Sequence, residues 1–113
     1  MTRVKVLQKG TNILSIELDG HTDYGMEGED IVCAGLSCIS QTACLGLLTV
    51  ANVNAEILRD EERGYLKVSL PNNLTKEQMH DSQMILRTAL IGIQDLREGF
   101  SKFISLEVKK DVY

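Results

Sequence analysis

The chain has 113 residues, of which 43% are hydrophobic and 25% are charged, a composition typical of one ordinary globular domain. Its 16 acidic and 12 basic side chains give a net charge of -4. Because nucleic-acid binding depends on clustered Lys and Arg, we expect no direct nucleic-acid partner. Three cysteines, an odd number, argue against a disulfide framework and favour a reducing cytoplasm.

The sequence predicts neither a signal peptide nor a membrane anchor. The first residues, Met1 to Val6, alternate charged and apolar side chains and lack the apolar core of a signal peptide. The longest apolar stretch, Ala43 to Ala51, is shorter than the about 20 residues that cross a bilayer. We therefore expect no membrane partner.

The N-terminal half predicts a β-hairpin followed by a helix. Apolar residues alternate with polar ones on both sides of a turn, at Val4, Val6, Ile13, Leu14, Ile16 and Leu18. From Asp30 to about Val53, apolar and small residues recur at helical spacing, which predicts a long buried helix. One stripe of this helix contains Cys33, Ser37, Ser40 and Cys44.

The C-terminal half predicts two short strands and a second helix. The strands extend from Ala55 to Asp60 and from Gly64 to Leu70. Thr75 and Gln78 have the spacing of a capping box, which begins a helix that extends to Phe100. The apolar face of this helix comprises Met79, Leu86, Ala89, Leu90, Ile93 and Leu96.

Ile104, Leu106 and Val108 alternate as a last strand. The order of elements is therefore ββαββαβ. It predicts a single α+β domain over residues 1–113, with a mixed β-sheet of about five strands packed against two helices.

The candidate chemistry lies between a histidine, His21, at the end of the second strand and a cysteine, Cys33, at the start of the first helix. The connecting segment contains Gly20, Gly25 and Gly28. A cysteine is a good nucleophile only as its thiolate, which forms most readily at a helix start beside an imidazole. The two side chains therefore predict a Cys/His nucleophile pair.

A free-energy comparison indicates that the histidine is needed. With Asp30 as the N-cap, Cys33 becomes the third helical residue, N3. A helix dipole contributes about 0.3–1 kcal/mol to a charge at its end. Lowering a thiol pKa from about 8.5 to about 6 requires about 3.4 kcal/mol. A second positive group is required, and His21 is the nearest candidate.

Structural interpretations remain open for several of these residues. A buried cysteine is usually a small hydrophobic residue, and we interpret Cys38 and Cys44 as core residues. Ser37 either makes a hydrogen bond near the site or packs. Gly25 and Gly28 either form turns or belong to a lid loop that closes over substrate. Because the chain has no Cys-x-x-Cys and no histidine pair at metal-ligand spacing, we predict no metal and no other cofactor.

At these residues the chain resembles a known family. Gly20-His21, followed by the segment from Gly28 to Ala34 and then by Ser37, is similar to the signature of the ribosomal-processing cysteine proteases, called Prp. The resemblance extends over the whole chain in length, in the opening hairpin and in the late Leu-rich helix. Thr22 departs from the family pattern, in which alanine is usual.

The resemblance implies a cytoplasmic endopeptidase, often a homodimer. It implies a precursor substrate, large-subunit ribosomal protein number twenty-seven, whose N-terminal extension is removed by a cut after an apolar segment that ends in aromatic residues. The family's catalytic cysteine and histidine correspond to Cys33 and His21, and Asp30 and Ser37 match supporting positions.

The implied mechanism is nucleophilic acyl transfer by a dyad, with amides at the helix start, including that of Cys33, as oxyanion donors. The sequence assigns no third catalytic residue. Two other functions stay open: a non-catalytic ribosome-associated binding or assembly module, and a redox-sensing thiol protein.

Overall fold

The computed structural model describes residues 1–20 and 29–111, with the backbone only for residues 29 and 30. These ranges contain the predicted elements in the predicted order, which confirms the α+β class. The elements are β1 Thr2–Lys9, β2 Asn12–Asp19, α1 Glu29–Thr49, β3 Glu56–Asp60, β4 Tyr65–Ser69, α2 Lys76–Gly99 and β5 Ile104–Lys110.

The five strands form one mixed sheet in the order β3-β4-β2-β1-β5. All neighbours are antiparallel except β1 and β5, which are parallel. One face of the sheet packs with both helices into a single apolar core that includes Val4, Val6, Ile16, Leu36, Leu47, Leu86, Ile93 and Ile104. The alternate residues face away from the helices, and Lys5, Glu17 and Lys67 are paired across this other face.

A β-bulge explains an irregularity in the second strand. Leu7 is paired with Ser15, whereas the next residue, Gln8, is paired with Ile13, so Leu14 is the extra residue. An extra residue reverses the alternation of side chains between faces. Ile13 and Ile16 are therefore both buried although they are three residues apart.

Helix α2 is attached to this bulged segment by a buried glutamine, Gln83, which the sequence pattern did not predict to be buried. The Gln83 Oε1 accepts a hydrogen bond from the Ile13 amide at 2.6 Å, and its Nε2 donates to the Ile13 carbonyl at 2.8 Å. The side chain thus satisfies backbone groups that would otherwise be buried without partners. This contact fixes α2 over β2.

The predicted capping box of α2 is confirmed. The Thr75 hydroxyl accepts from the Gln78 amide at 3.0 Å, and the Gln78 side chain accepts from the Thr75 amide at 3.0 Å. Of the predicted apolar face, Leu86, Ala89 and Ile93 are buried, and the rest is partly buried, namely Met79, Leu90 and Leu96. Ser82, which has no apolar side chain, is equally buried.

Helix α1 ends at Thr49 and not near Val53, and its exposed face differs from the prediction. Cys44 is buried as expected, but Cys38 is exposed, so its interpretation as a core residue is wrong. Apolar residues occur all around this helix, and periodicity alone therefore does not show which side faces the sheet.

The same composition overturns the expectation that no segment is long and apolar enough to cross a bilayer. Residues Ile31–Thr49 form 19 residues of helix that meet both criteria, a longer segment than Ala43 to Ala51, on which the expectation rested. Core helices of globular domains meet the same criteria, and α1 buries Val32 and Leu47 against the sheet. The finding is therefore weak evidence for a membrane span.

Candidate active site

A cleft of about 290 Å³ opens between α1 and one end of the sheet. At this end β2 and β3 terminate and β1 and β4 begin. The cleft is lined from α1 by Cys33 and Ser37, and from the sheet by Thr2, Leu18, Arg59 and Leu66. The fold therefore places the predicted nucleophile at the wall of an open groove.

The cleft brings together three of the predicted site residues, Gly20, Cys33 and Ser37, and the last two lie one helical turn apart on α1. Cys33 is half-buried, which suits a thiol that must meet a substrate, and Ser37 is exposed. Buried Cys44 lies two turns beyond Ser37 and does not line this cleft. Among the three cysteines, Cys33 alone combines partial burial with a position in the groove.

The start of α1 differs from the prediction. The helix begins at Glu29, so Asp30 is a helical residue and not the N-cap, and Cys33 is the fifth residue of the helix. Aspartate is favourable both at the N-cap and in the first turn, so its presence does not distinguish the two positions. The Cys33 amide also lies beyond the first four N–H groups, which lack intrahelical partners. The expectation that it is an open oxyanion donor is therefore wrong.

His21, Gly25 and Gly28 lie outside the described residues. The Cys/His pair and the lid loop consequently stay predictions.

Gly20, the residue before His21, lies at the end of β2 in a conformation that requires glycine. Its φ is +148°, and a Cβ there would overlap the Met1 carbonyl oxygen and lie 2.8 Å from the Thr2 Cα. Its amide also donates to the Gly64 carbonyl at 3.2 Å. The missing side chain lets β1 begin directly against the end of β2, which fixes where the chain leaves the sheet.

The β3–β4 turn is fastened to β2 beside the cleft. The Arg63 guanidinium binds Asp19 at 2.7 Å and lies 4.7 Å from the centre of the Tyr65 ring. The Tyr65 hydroxyl donates to Glu17 at 2.8 Å, and this hydrogen bond raises the pKa of the phenol. The hydrogen bond to Asp19 likewise raises the pKa of Arg63. These contacts hold the turn in place.

The contribution of the β3–β4 hairpin to the site was not predicted from the sequence. The alternation of apolar and polar residues along β2 and β4 was a sequence signal for which of their side chains face the helices. Leu66 is paired with Leu18 across β4 and β2, so both side chains lie on the helix-facing side of the sheet. The strand order needed to use this signal came only with the structure.

Comparison with known proteins agrees with this geometry. The model of a protein family described as cysteine protease Prp matches residues 1–105 of the chain. The chain belongs to the cysteine protease Prp family.

Curated members of the Prp family align with most of the chain. Ribosomal processing cysteine protease Prp of Staphylococcus aureus strain Mu50 is 28% identical over 97 residues, which cover 86% of this chain and 88% of that protein. The protein of the same name from Bacillus subtilis strain 168 is 24% identical over 88 residues, covering 78% of this chain and 79% of the relative.

Solved Prp-like structures share the fold closely. SMU.848 from Streptococcus mutans superposes with a TM-score of 0.87 at 28% identity and covers 98% of this chain and 96% of its own. Prp from S. aureus with a covalently linked product peptide has a TM-score of 0.82 at 26% identity, covering 96% of this chain and 100% of its own. The protein is therefore a cysteine protease of the ribosomal-processing family.

Proposed function

We propose that this protease removes the N-terminal extension of large-subunit ribosomal protein number twenty-seven, cutting after an apolar segment that ends in aromatic residues. The observation that carries the proposal is the position of Cys33, half-buried at the wall of an open cleft, in a member of the Prp family. The net charge of -4 also suits a basic ribosomal substrate.

The proposed mechanism is acyl transfer by a dyad. His21 takes the proton of the Cys33 thiol, and the thiolate attacks the scissile carbonyl carbon. The imidazolium then returns the proton to the leaving amine, and water hydrolyses the thioester. The relative that holds a covalently linked product peptide supports this chemistry over a non-catalytic binding module.

The supporting roles follow from the start of α1. The helix begins at Glu29, so the N–H groups of its first turn point toward the open end of the helix and are the proposed oxyanion donors. Ser37 lines the cleft one turn beyond the nucleophile and is proposed to make a hydrogen bond to the substrate. Asp30 is also proposed as a supporting residue, because it matches a position of the family motif.

We also propose that the protease acts in the cytoplasm as a homodimer. The segment from Ile31 to Thr49 has no charged residue, and α1 exposes 64% of Ile31 and 61% of Leu45. On α2, Ile91 is 65% exposed. A second copy of the chain would remove these apolar side chains from water. Analytical ultracentrifugation should show a dimer that Leu45→Arg weakens, and a monomeric wild type would contradict the proposal.

Incubation with the extended ribosomal precursor tests the proposed function. We expect the wild type to release the extension, and mass spectrometry should give a single new N-terminus after the apolar segment. Cys33→Ala should release nothing, and Cys38→Ala, a matched change on the exposed face of the same helix, should process normally. An uncut precursor with the wild type, or cleavage by Cys33→Ala, would refute the proposal.

A further inference from the structure

The cleft beside Cys33 has an uncharged floor. Leu18 and Leu36 are only 5% and 3% exposed, and Leu66 is half-buried against them. Thr2 adds one hydroxyl-bearing side chain that is 4% exposed. A substrate side chain that reaches this floor therefore meets leucine methyl groups, while Ser37, Ser40 and Gln41 line the same cleft from α1.

The charged side chains lie at the rim and have partners of their own. Arg59 and Glu61 form an ion pair at 3.7 Å, with 47% and 81% of their side chains exposed. The Asp60 carboxylate accepts from the Arg63 amide at 3.3 Å. A charged substrate side chain on the floor would lose its water without gaining a partner, whereas an apolar one would gain from burial.

The size of the cleft suits one large side chain. A cavity of about 150 Å³ already accepts a benzene molecule, and this cleft has about 290 Å³. An aromatic ring next to the scissile bond would therefore fit while the peptide backbone stays beside Cys33.

Leu66 is the floor residue that is able to set the size limit. Leu18 and Leu36 belong to the buried core, where changes of volume disturb the fold. Leu66 is only partly buried, lines the cleft from β4, and is paired with Leu18 of β2 and Arg59 of β3. Its side chain is thus placed to contact a substrate without being essential to the core.

We propose that this floor is the subsite for the side chain that flanks the scissile bond, and that Leu66 determines how large that side chain is. The inference rests on the proposed proteolytic role of Cys33. It adds the residue that selects the substrate.

The test uses peptides of the precursor cleavage site with Phe, Trp, Ala or Lys in the residue on either side of the scissile bond. In Leu66→Trp, which fills the floor, kcat/KM for Phe relative to Ala should fall about tenfold or more. In Leu66→Ala, which enlarges the floor, kcat/KM for Trp relative to Phe should rise about tenfold. Lys should be a poor substrate throughout.

Leu58 provides the matched control because it lies on the neighbouring strand β3, is 47% exposed, and is paired with Lys67 on the opposite face of the sheet. Leu58→Ala and Leu58→Trp should leave both ratios unchanged. The side of the scissile bond on which Leu66 variants change the ratios identifies the subsite.

The proposed function and the subsite proposal are contradicted by different results. If the wild type cuts none of the peptides and not the precursor either, the proposed function fails. If the wild type cuts but the Leu66 variants keep the ratios of the wild type on both sides, the subsite proposal alone is overturned. Should Leu66→Trp fail to fold, Leu66→Val serves in its place, with the Trp-to-Phe ratio expected to rise a few-fold and an unchanged ratio counting against the proposal.

Discussion

The two helices of this protein differ in how clearly their sequences indicate which face is buried. Helix α2 has charged residues on its outer side and a regular apolar stripe, of which Leu86 and Ile93 are each 1% exposed. Helix α1 has no charged residue after Asp30, and it buries Leu47 completely while leaving 61% of Leu45 exposed. Periodicity identifies a buried face only where the opposite face is polar.

The helices also differ in what they contribute. Helix α2 has a structural role: it is capped by Thr75 and attached to β2 through Gln83. Helix α1 places Cys33 in the cleft, and close contacts hold it to α2, since a Cβ on Gly35 would lie 3.0 Å from Leu96. Chemistry and scaffolding are thus separated between two helices that share one core.

The largest expected effect separates chemistry on α1 from scaffolding on α2. Cys33→Ala should lower kcat by at least about 10⁴-fold, because the nucleophile is lost, and should leave the melting temperature nearly unchanged. Ile93→Ala on α2 should cost about 2–5 kcal/mol of stability and keep kcat at low temperature. Kinetics and thermal melts measure both. Cleavage by Cys33→Ala would mean that α1 does not supply the nucleophile.

The second prediction compares the two faces of α1. Leu47→Ala should cost about 2–5 kcal/mol in the free energy of unfolding because Leu47 is fully buried. The same change at Leu45, on the exposed face, should stay within about 0.5 kcal/mol in the monomer. Urea unfolding at a concentration that dissociates dimers gives both values. Equal costs at the two positions would show that the orientation of α1 is wrong.

A third prediction uses one exposed and one buried cysteine of α1, Cys38 and Cys44. Burial raises the pKa of the Cys44 thiol, although Arg59 nearby acts in the opposite direction. Exposed Cys38 should therefore be alkylated at least about tenfold faster than Cys44 at neutral pH, because the thiolate is the reactive form. Mass spectrometry after timed alkylation checks this, and comparable rates would contradict the burial of Cys44.

The raised pKa also fixes the sign of a pH effect. The folded state holds the Cys44 proton more tightly than the unfolded state, so this contribution to stability is complete below the unfolded value of about 8.5. This contribution to stability is lost as the pH rises through the pKa that Cys44 has in the folded state. Stability should fall above about pH 8.5 in the wild type, less so in Cys44→Ala, and Cys38→Ala should follow the wild type.

The smallest expected effect is at the start of α2. Thr75→Ala removes the side-chain acceptor of the Gln78 amide and should cost about 1 kcal/mol of stability. Thr88→Ala, in the exposed middle of the same helix, should change stability by less than about 0.5 kcal/mol. Chemical unfolding of both variants measures the difference. A Thr75→Ala variant as stable as Thr88→Ala would show that the capping box contributes nothing.

Local sequence was sufficient for much of the fold. The order of seven elements and the capping box at Thr75 could be predicted because they depend on alternation, helical periodicity and contacts over three residues. The bulge at Leu14 and the burial of Gln83 could not, because each depends on a partner about 70 residues away or on another strand. The first helical residue of α1 was predicted at Ile31, two residues late, because aspartate suits both the N-cap and the first turn of a helix.

By itself the sequence determined the α+β class, the resemblance to the Prp family and the choice of Cys33 and His21 as candidate nucleophile and base. Only the tertiary structure decided which face of α1 meets the sheet, and that Thr2, Leu18 and Leu66 form the floor of the cleft beside Cys33. The physical reason is that a cleft is made by side chains from strands distant in sequence. Their meeting depends on strand order and register, which no local pattern specifies.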